Sequence, residues 1–211
     1  MFTLIKREIE DHVAFFLGAA IATAILIVLL VSAVLNYEPP DNIPVYAIGF
    51  LIPVIVVVVI GLPAMGASQM YTDRTRRVSA FLSGLPVTRS QILVARIVTG
   101  VLAILVVLLP LTITGAALRS LLLPPIPFYP GLIADIFVTA FLMAFACYCL
   151  GLLTGWTSSR ITPTLGGLVL TCILVPLILV KGFGLHTTVI LVLFIIASLT
   201  CTWQKFRSAP L

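Results

Sequence analysis

The sequence predicts an all-α membrane protein, folded as one transmembrane domain over residues 1–211 with six membrane-spanning helices. Hydrophobic residues make up 61% of the chain and charged residues only 9%, and the mean hydropathy is +1.26. A globular core of this chain length would leave much of that apolar surface in water, so the expected surroundings are lipid. The apolar residues fall into six runs of roughly 20 residues, the length at which a helix crosses a bilayer.

The elements follow from these runs and from the residues between them. Met1–His12 mixes apolar and charged side chains, which is typical of a short helix lying along the membrane interface. Gly151 and Gly155 are spaced four apart on one run and favour the close approach of a neighbouring helix. The predicted spans are Val13–Leu35, Ile43–Met65, Ile97–Leu118, Leu132–Leu153, Ile161–Val180 and Leu185–Trp203.

The last two spans have an alternative. Only Lys181–Gly184 separates them, and Pro176 interrupts the fifth run. A re-entrant hairpin would also accommodate these residues, because a broken helix is tolerated at membrane depth where protein surrounds it.

The lysines and arginines predict the orientation of the chain in the membrane. Two of the twelve, Arg119 and Lys181, fall on one side of the six spans, and the other ten fall on the opposite side. Positive residues accumulate on the cytoplasmic side, so both termini are expected there, with the protein in the cytoplasmic (inner) membrane. The ten are Lys6, Arg7, Arg74, Arg76, Arg77, Arg89, Arg96, Arg160, Lys205 and Arg207.

Residues 71–90, which join the second and third spans, are predicted to form a cytoplasmic segment with its own helix. Its arginines exclude it from the bilayer core, where each would cost about 3 kcal/mol. An apolar stripe at helical spacing comprises Val78, Phe81, Leu82 and Leu85, and Gly84 and Pro86 would end that helix. Thr88 and Gln91 match a capping box, so the next helix is expected to begin near Arg89.

The stretch FLSGLPVTRSQILVARI, Phe81–Ile97, resembles the ABC-2 type permease family. In that family the cytoplasmic loop after the second span carries a pattern like L-L-x-x-L-P-V-S-R, followed by apolar residues and a basic residue. Phe81 and Leu82 match the apolar pair, Leu85–Arg89 matches the L-P-V-S/T-R core, and Arg96 matches the later base.

The resemblance implies the transmembrane subunit of an ABC exporter, with residues 71–90 as a coupling segment that docks on a separate ATPase. ATP and Mg²⁺ would be bound by that ATPase and not by this chain, and a second permease copy or a homologous permease would complete the transporter. The implied docking residues are Asp73, Arg74, Arg76, Arg77, Phe81, Leu82, Leu85, Pro86 and Arg89.

The sequence supports other classes of function less well. The chain has no GxxxxGK[ST] phosphate loop and no Ser/His/Asp, HExxH or paired-carboxylate motif, so we expect no enzymatic, cofactor or metal site. The net charge of +5 suits anionic lipid headgroups better than nucleic acid. A secondary transporter or channel is one alternative, with Asp135 as its candidate intramembrane charge. A membrane scaffold or sensor is the other alternative. Arg96, at the cytoplasmic edge of the third span, is expected to extend its side chain towards the headgroups.

Overall fold

The computed structural model describes residues 2–35, 57–76, 89–122, 132–155, 169 and 185–208. These residues are helical apart from single turn residues at His12 and Gly155, and no strand occurs among them, which confirms the all-α class. The helices are α1 (Phe2–Asp11), α2 (Val13–Leu35), α3 (Leu62–Arg76), α4 (Arg89–Leu122), α5 (Leu132–Thr154) and α6 (Leu185–Ser208).

Four of these helices are long and apolar enough to cross a membrane. The qualifying stretches are Val13–Ser32, Ser90–Leu118, Ala134–Thr154 and His186–Lys205. They correspond to the first, third, fourth and sixth predicted spans. The second predicted span is described only from Val57 onwards, and the fifth, apart from residue 169, lies outside the described residues.

A π-helical turn, Val57–Gly61, leads directly into α3. Pro63 lies two residues after its end, and a proline ring in a regular helix collides with the carbonyl four residues earlier. A wider turn at this point relieves that collision, as π-bulges commonly do. The helix then continues past Met65, the predicted end of the second span, as far as Arg76.

Helix α5 is the centre of the described fold, since it packs against α3, α4 and α6, whereas α1 and α2 pack chiefly on α4. The main core is built from α3, α4 and α5, and it contains Leu62, Met70, Leu93, Ile104, Leu108, Ala144, Tyr148 and Leu152. A smaller core joins α5 to α6 through Ala146, Cys149, Leu191 and Ile195.

Three glycines allow α3 and α5 to approach closely. A Cβ added at Gly66 would lie 2.7 Å from the Tyr148 carbonyl oxygen, and one at Gly151 would overlap the backbone of Pro63. A Cβ at Gly155 would lie 2.7 Å from the Met70 Cβ. The predicted Gly151/Gly155 packing face is therefore confirmed, and the helix it receives is α3.

Candidate functional site

The structure describes both ends of the predicted coupling segment. Three of the implied docking residues, Asp73, Arg74 and Arg76, lie in the last turns of α3. Arg89 is the first described residue of α4, and the residue before it, Thr88 of the predicted capping box, lies outside the described residues. The remaining implied docking residues, which are Arg77, Phe81, Leu82, Leu85 and Pro86, lie outside the described residues.

Arg96, seven residues into α4, lies about 10 Å along the axis from Arg89. Its side chain is only 1% exposed, so the expectation that it extends towards the headgroups is wrong. The reason is a carboxylate from α1: Arg96 Nε lies 3.5 Å from Glu8 Oε1, and the Glu8 side chain is itself only 19% exposed. Arg96 also donates from Nη1 to the Met70 sulfur, at 3.0 Å.

The burial of this ion pair decides its energetic importance. Two charges withdrawn from water gain little net stability as a pair, because the desolvation penalty offsets their attraction. Removing one partner is different, since it leaves a buried charge uncompensated and typically costs about 3–5 kcal/mol. Replacing either Glu8 or Arg96 alone is therefore expected to lower the stability of the fold by far more than the pair contributes to it.

The Tyr148 hydroxyl on α5 joins α3 and α4. It lies 2.6 Å from Gln69 Oε1 and 2.8 Å from the backbone carbonyl oxygen of Arg96. A hydroxyl has one hydrogen and therefore shares it between these two acceptors. Gln69 Nε2 is buried without a hydrogen-bond partner among the described residues. Rotating the amide by 180° would let Gln69 donate to Tyr148 while Tyr148 donates to Arg96, so both bonds would be complete.

Two glycines shape the socket that holds the Tyr148 ring. A Cβ at Gly100 on α4 would overlap the ring itself, and one at Gly66 on α3 would press on the Tyr148 backbone. The Tyr148 side chain is 0% exposed. The position of its hydroxyl is thus set by packing as well as by hydrogen bonds.

Glu8, Gln69, Met70, Arg96 and Tyr148 together make one connected set, which we call the polar node. The node joins α1, α3, α4 and α5, and its members are linked by contacts of 2.6–3.5 Å. It lies about two helical turns from residues 77–88 on both α3 and α4.

His12 completes the α1 side of the node. Its Nδ1 donates to the Glu8 carbonyl oxygen at 2.9 Å and lies 3.8 Å from Glu8 Oε2. The same residue accepts backbone hydrogen bonds from Phe15 and Phe16, at 2.9 and 3.2 Å, so it also starts α2. The position of Glu8 is thereby tied to the junction between the two helices.

A row of aromatic rings runs along α5 to the node. Phe137, Phe141, Phe145 and Tyr148 stack in succession, with neighbouring ring centroids 6.3 Å apart. The three phenylalanines are partly buried against the main core. Their spacing of four, four and three residues keeps them on one face of the helix.

Sequence reasoning missed Glu8, Gln69 and Tyr148. Glu8 was one of three acids in a charged N-terminal segment, and Tyr148 stood inside an apolar run between two cysteines.

Asp135, the predicted intramembrane charge, is half-buried in the first turn of α5, where the helix dipole stabilises an acidic side chain. It has no part in the node. Among the described helices, no three His, Cys, Asp or Glu side chains come together as a metal site.

Comparisons with protein families, with curated proteins and with solved structures find no match for this chain.

Proposed function

We propose that the chain is the transmembrane permease subunit of an ABC transporter that works as an exporter. A separate ATPase binds ATP and Mg²⁺ and docks on residues 71–90, and a second permease copy or homologue completes the transporter. Both termini and the coupling segment face the cytoplasm, in the inner membrane. This proposal combines the resemblance of Phe81–Ile97 to the ABC-2 family with the position of the polar node.

The polar node is the observation that supports the mechanical part of the proposal. Met70 lies six residues before the end of α3 and Arg96 seven residues after the start of α4, about 9 and 10 Å along the two helices. The bond between these two side chains ties the helices together next to the segment that joins them. A displacement of residues 77–88 would therefore move α3 and α4 as one unit.

In this mechanism the coupling segment acts through two kinds of side chain. Phe81, Leu82 and Leu85 enter an apolar groove of the ATPase, and the arginines around them meet acidic residues at its rim. Closure of the ATPase on ATP then pushes the segment, and the node passes the displacement to α5 through Tyr148. The glycine-lined contact between α3 and α5 transmits the same movement, because tightly packed helices do not deform continuously.

Replacing Phe81 or Leu82 by Asp tests the docking step. Each variant should still insert into the membrane, but the ATPase should no longer copurify in mild detergent. Ser83→Asp is the matched control, since it adds the same charge to the same segment outside the apolar stripe, and it should keep the ATPase. Full recovery of a phosphate-loop ATPase with Phe81→Asp would contradict the proposal.

A secondary transporter that needs no ATPase is the second candidate. The observation that favours it is the Glu8–Arg96 pair, a buried pair of charges at the end of a candidate span. The chain purified alone and reconstituted in vesicles distinguishes the two functions. A permease subunit without its ATPase should leave a proton gradient intact, whereas a proton-coupled transporter should dissipate it when the substrate is present.

A further inference from the structure

The charges of α1 are divided between two sides of the helix. Lys6 pairs with Glu10 and Arg7 with Asp11, at 3.9 and 3.8 Å, and all four side chains are at least 50% exposed. Glu8 alone turns inwards, to the buried guanidinium of Arg96. An anchor that only holds the chain to anionic lipid has no use for an acid directed into the protein.

The packing of α1 agrees with this division. Although α1 is joined to α2 by a single residue, its main described contacts are with α4, from which 77 residues separate it in the chain. Glu8 is the α1 side chain that makes an ion pair with α4 among the described residues. The helix therefore docks on protein, and it does so at the level of the polar node.

We propose that α1 is an intramolecular latch, with Glu8 as the positioning residue that keeps Arg96 inside the protein. While Glu8 compensates the charge, Arg96 stays buried and its Nη1 remains on the Met70 sulfur, which holds α3 to α4. When Glu8 is lost, the long Arg96 side chain reaches out to water and headgroups instead. The bond to Met70 is then broken and α1 leaves its place on α4.

The latch rests on the proposed function for one consequence only. In a working transporter its release would separate the coupling segment from the spans, so the ATPase would still bind and hydrolyse ATP without moving α5. The docking of α1 itself involves no partner and is testable on the chain alone.

The distance between α1 and α4 is the measurement that tests the latch. Spin labels are placed at Lys6→Cys and Val94→Cys, two exposed positions, in a protein that lacks Cys172 and Cys201; the buried Cys147 and Cys149 are left in place. Pulsed electron resonance on the purified chain should show one narrow distance distribution. Glu8→Gln should broaden it and shift it to longer distances.

Two further variants make the test specific. Glu10→Gln removes an exposed acid from the same helix and should leave the distribution narrow. Exchanging the charges, with Glu8→Arg and Arg96→Glu together, should restore the narrow distribution that Glu8→Gln loses. If Glu8→Gln fails to fold, this double variant is the one that tests the latch. An unchanged distribution in Glu8→Gln, equal broadening in Glu10→Gln, or an exchanged protein that stays broad or unfolded would each overturn the latch.

The consequence for coupling has a separate readout. In the complex with its ATPase, ATP should change the rate at which a maleimide labels Ser120→Cys, an exposed position of α4 just past its candidate span, and Glu8→Gln should abolish that change while ATP hydrolysis continues. Retention of the ATP-dependent change in Glu8→Gln would contradict the role in coupling. If no ATPase copurifies with the wild-type chain, the proposed function fails, and the distance measurement still decides the latch.

Discussion

Arg96 and Tyr148 organise the polar node in different ways. Arg96 contributes a charge that Glu8 compensates and an Nη1 donor that bonds the Met70 sulfur, whereas Tyr148 contributes one hydrogen to two acceptors. A buried network of this kind loses stability with every further polar group that is left unsatisfied. Each residue is therefore sensitive to a change that leaves its shape intact and removes its polar atom.

Tyr148→Phe is such a change. The ring keeps its place between Gly66 and Gly100, but Gln69 and the Arg96 carbonyl lose their shared donor. We expect a loss of about 1–3 kcal/mol in the free energy of unfolding, the cost of leaving buried polar groups unsatisfied. Thermal unfolding of the purified protein in detergent measures it. Thr200→Val, which removes an exposed hydroxyl bonded only to its own helix, should have almost no effect; equal losses would argue against the node.

At the scale of single residues, the sequence shows which side chains are unusual but does not show which side chains surround them. Arg96 stands out in the sequence as a charge at the edge of an apolar run, but its burial depends on Glu8, which lies 88 positions earlier. No local pattern links the two. The role of Tyr148 is likewise not predictable, because a tyrosine in an apolar run does not indicate that its hydroxyl will hydrogen-bond to Gln69 of another helix.

The helices show where hydropathy is a good guide and where it is not. The first predicted span, Val13–Leu35, coincides with the described extent of α2, whose surface is mostly exposed in the fold, so an apolar composition is expected along its whole length. The third predicted span, Ile97–Leu118, covers only the middle of α4. Residues 89–96 mix polar with apolar side chains, and among them Arg96 is buried against protein, so the helix and its apolar stretch begin before the predicted span.

The contact between α3 and α5 provides a prediction for a whole element. Gly151→Ala should destabilise the protein by about 1–3 kcal/mol, because its Cβ meets the backbone of Pro63, which cannot rotate away. Gly115→Ala is the matched control in α4, where a Cβ meets nothing within 4 Å, and it should be neutral or stabilising by up to about 1 kcal/mol. Unfolding temperatures compare the two variants. A Gly151→Ala protein as stable as Gly115→Ala would contradict the close approach.

The whole molecule is a multi-pass membrane protein, and the charge distribution predicts its orientation. Single cysteines at Ser83 and at Asp41 distinguish the two sides, in a protein whose native cysteines are replaced. A membrane-impermeant maleimide should label Asp41→Cys from outside intact cells and reach Ser83→Cys only after the cells are opened. The reverse labelling pattern would place the coupling segment outside, where no ATP-driven partner can reach it.

The architecture was predictable in outline because lipid imposes one requirement, the length of an apolar helix, on every span. The order in which the helices pack was not predictable in the same way. It depends on Gly66, Gly151 and the polar node, whose partners come from distant parts of the chain. The functional prediction rests on residues 81–97, of which the structure describes 89–97.

The most direct test of the account places a photo-crosslinking amino acid at Phe81 and irradiates intact cells. The account predicts a covalent adduct between this chain and an ATPase that carries a phosphate loop, identified by mass spectrometry and absent when the label is placed at the exposed Val189 of α6. Adducts with lipid alone would contradict it.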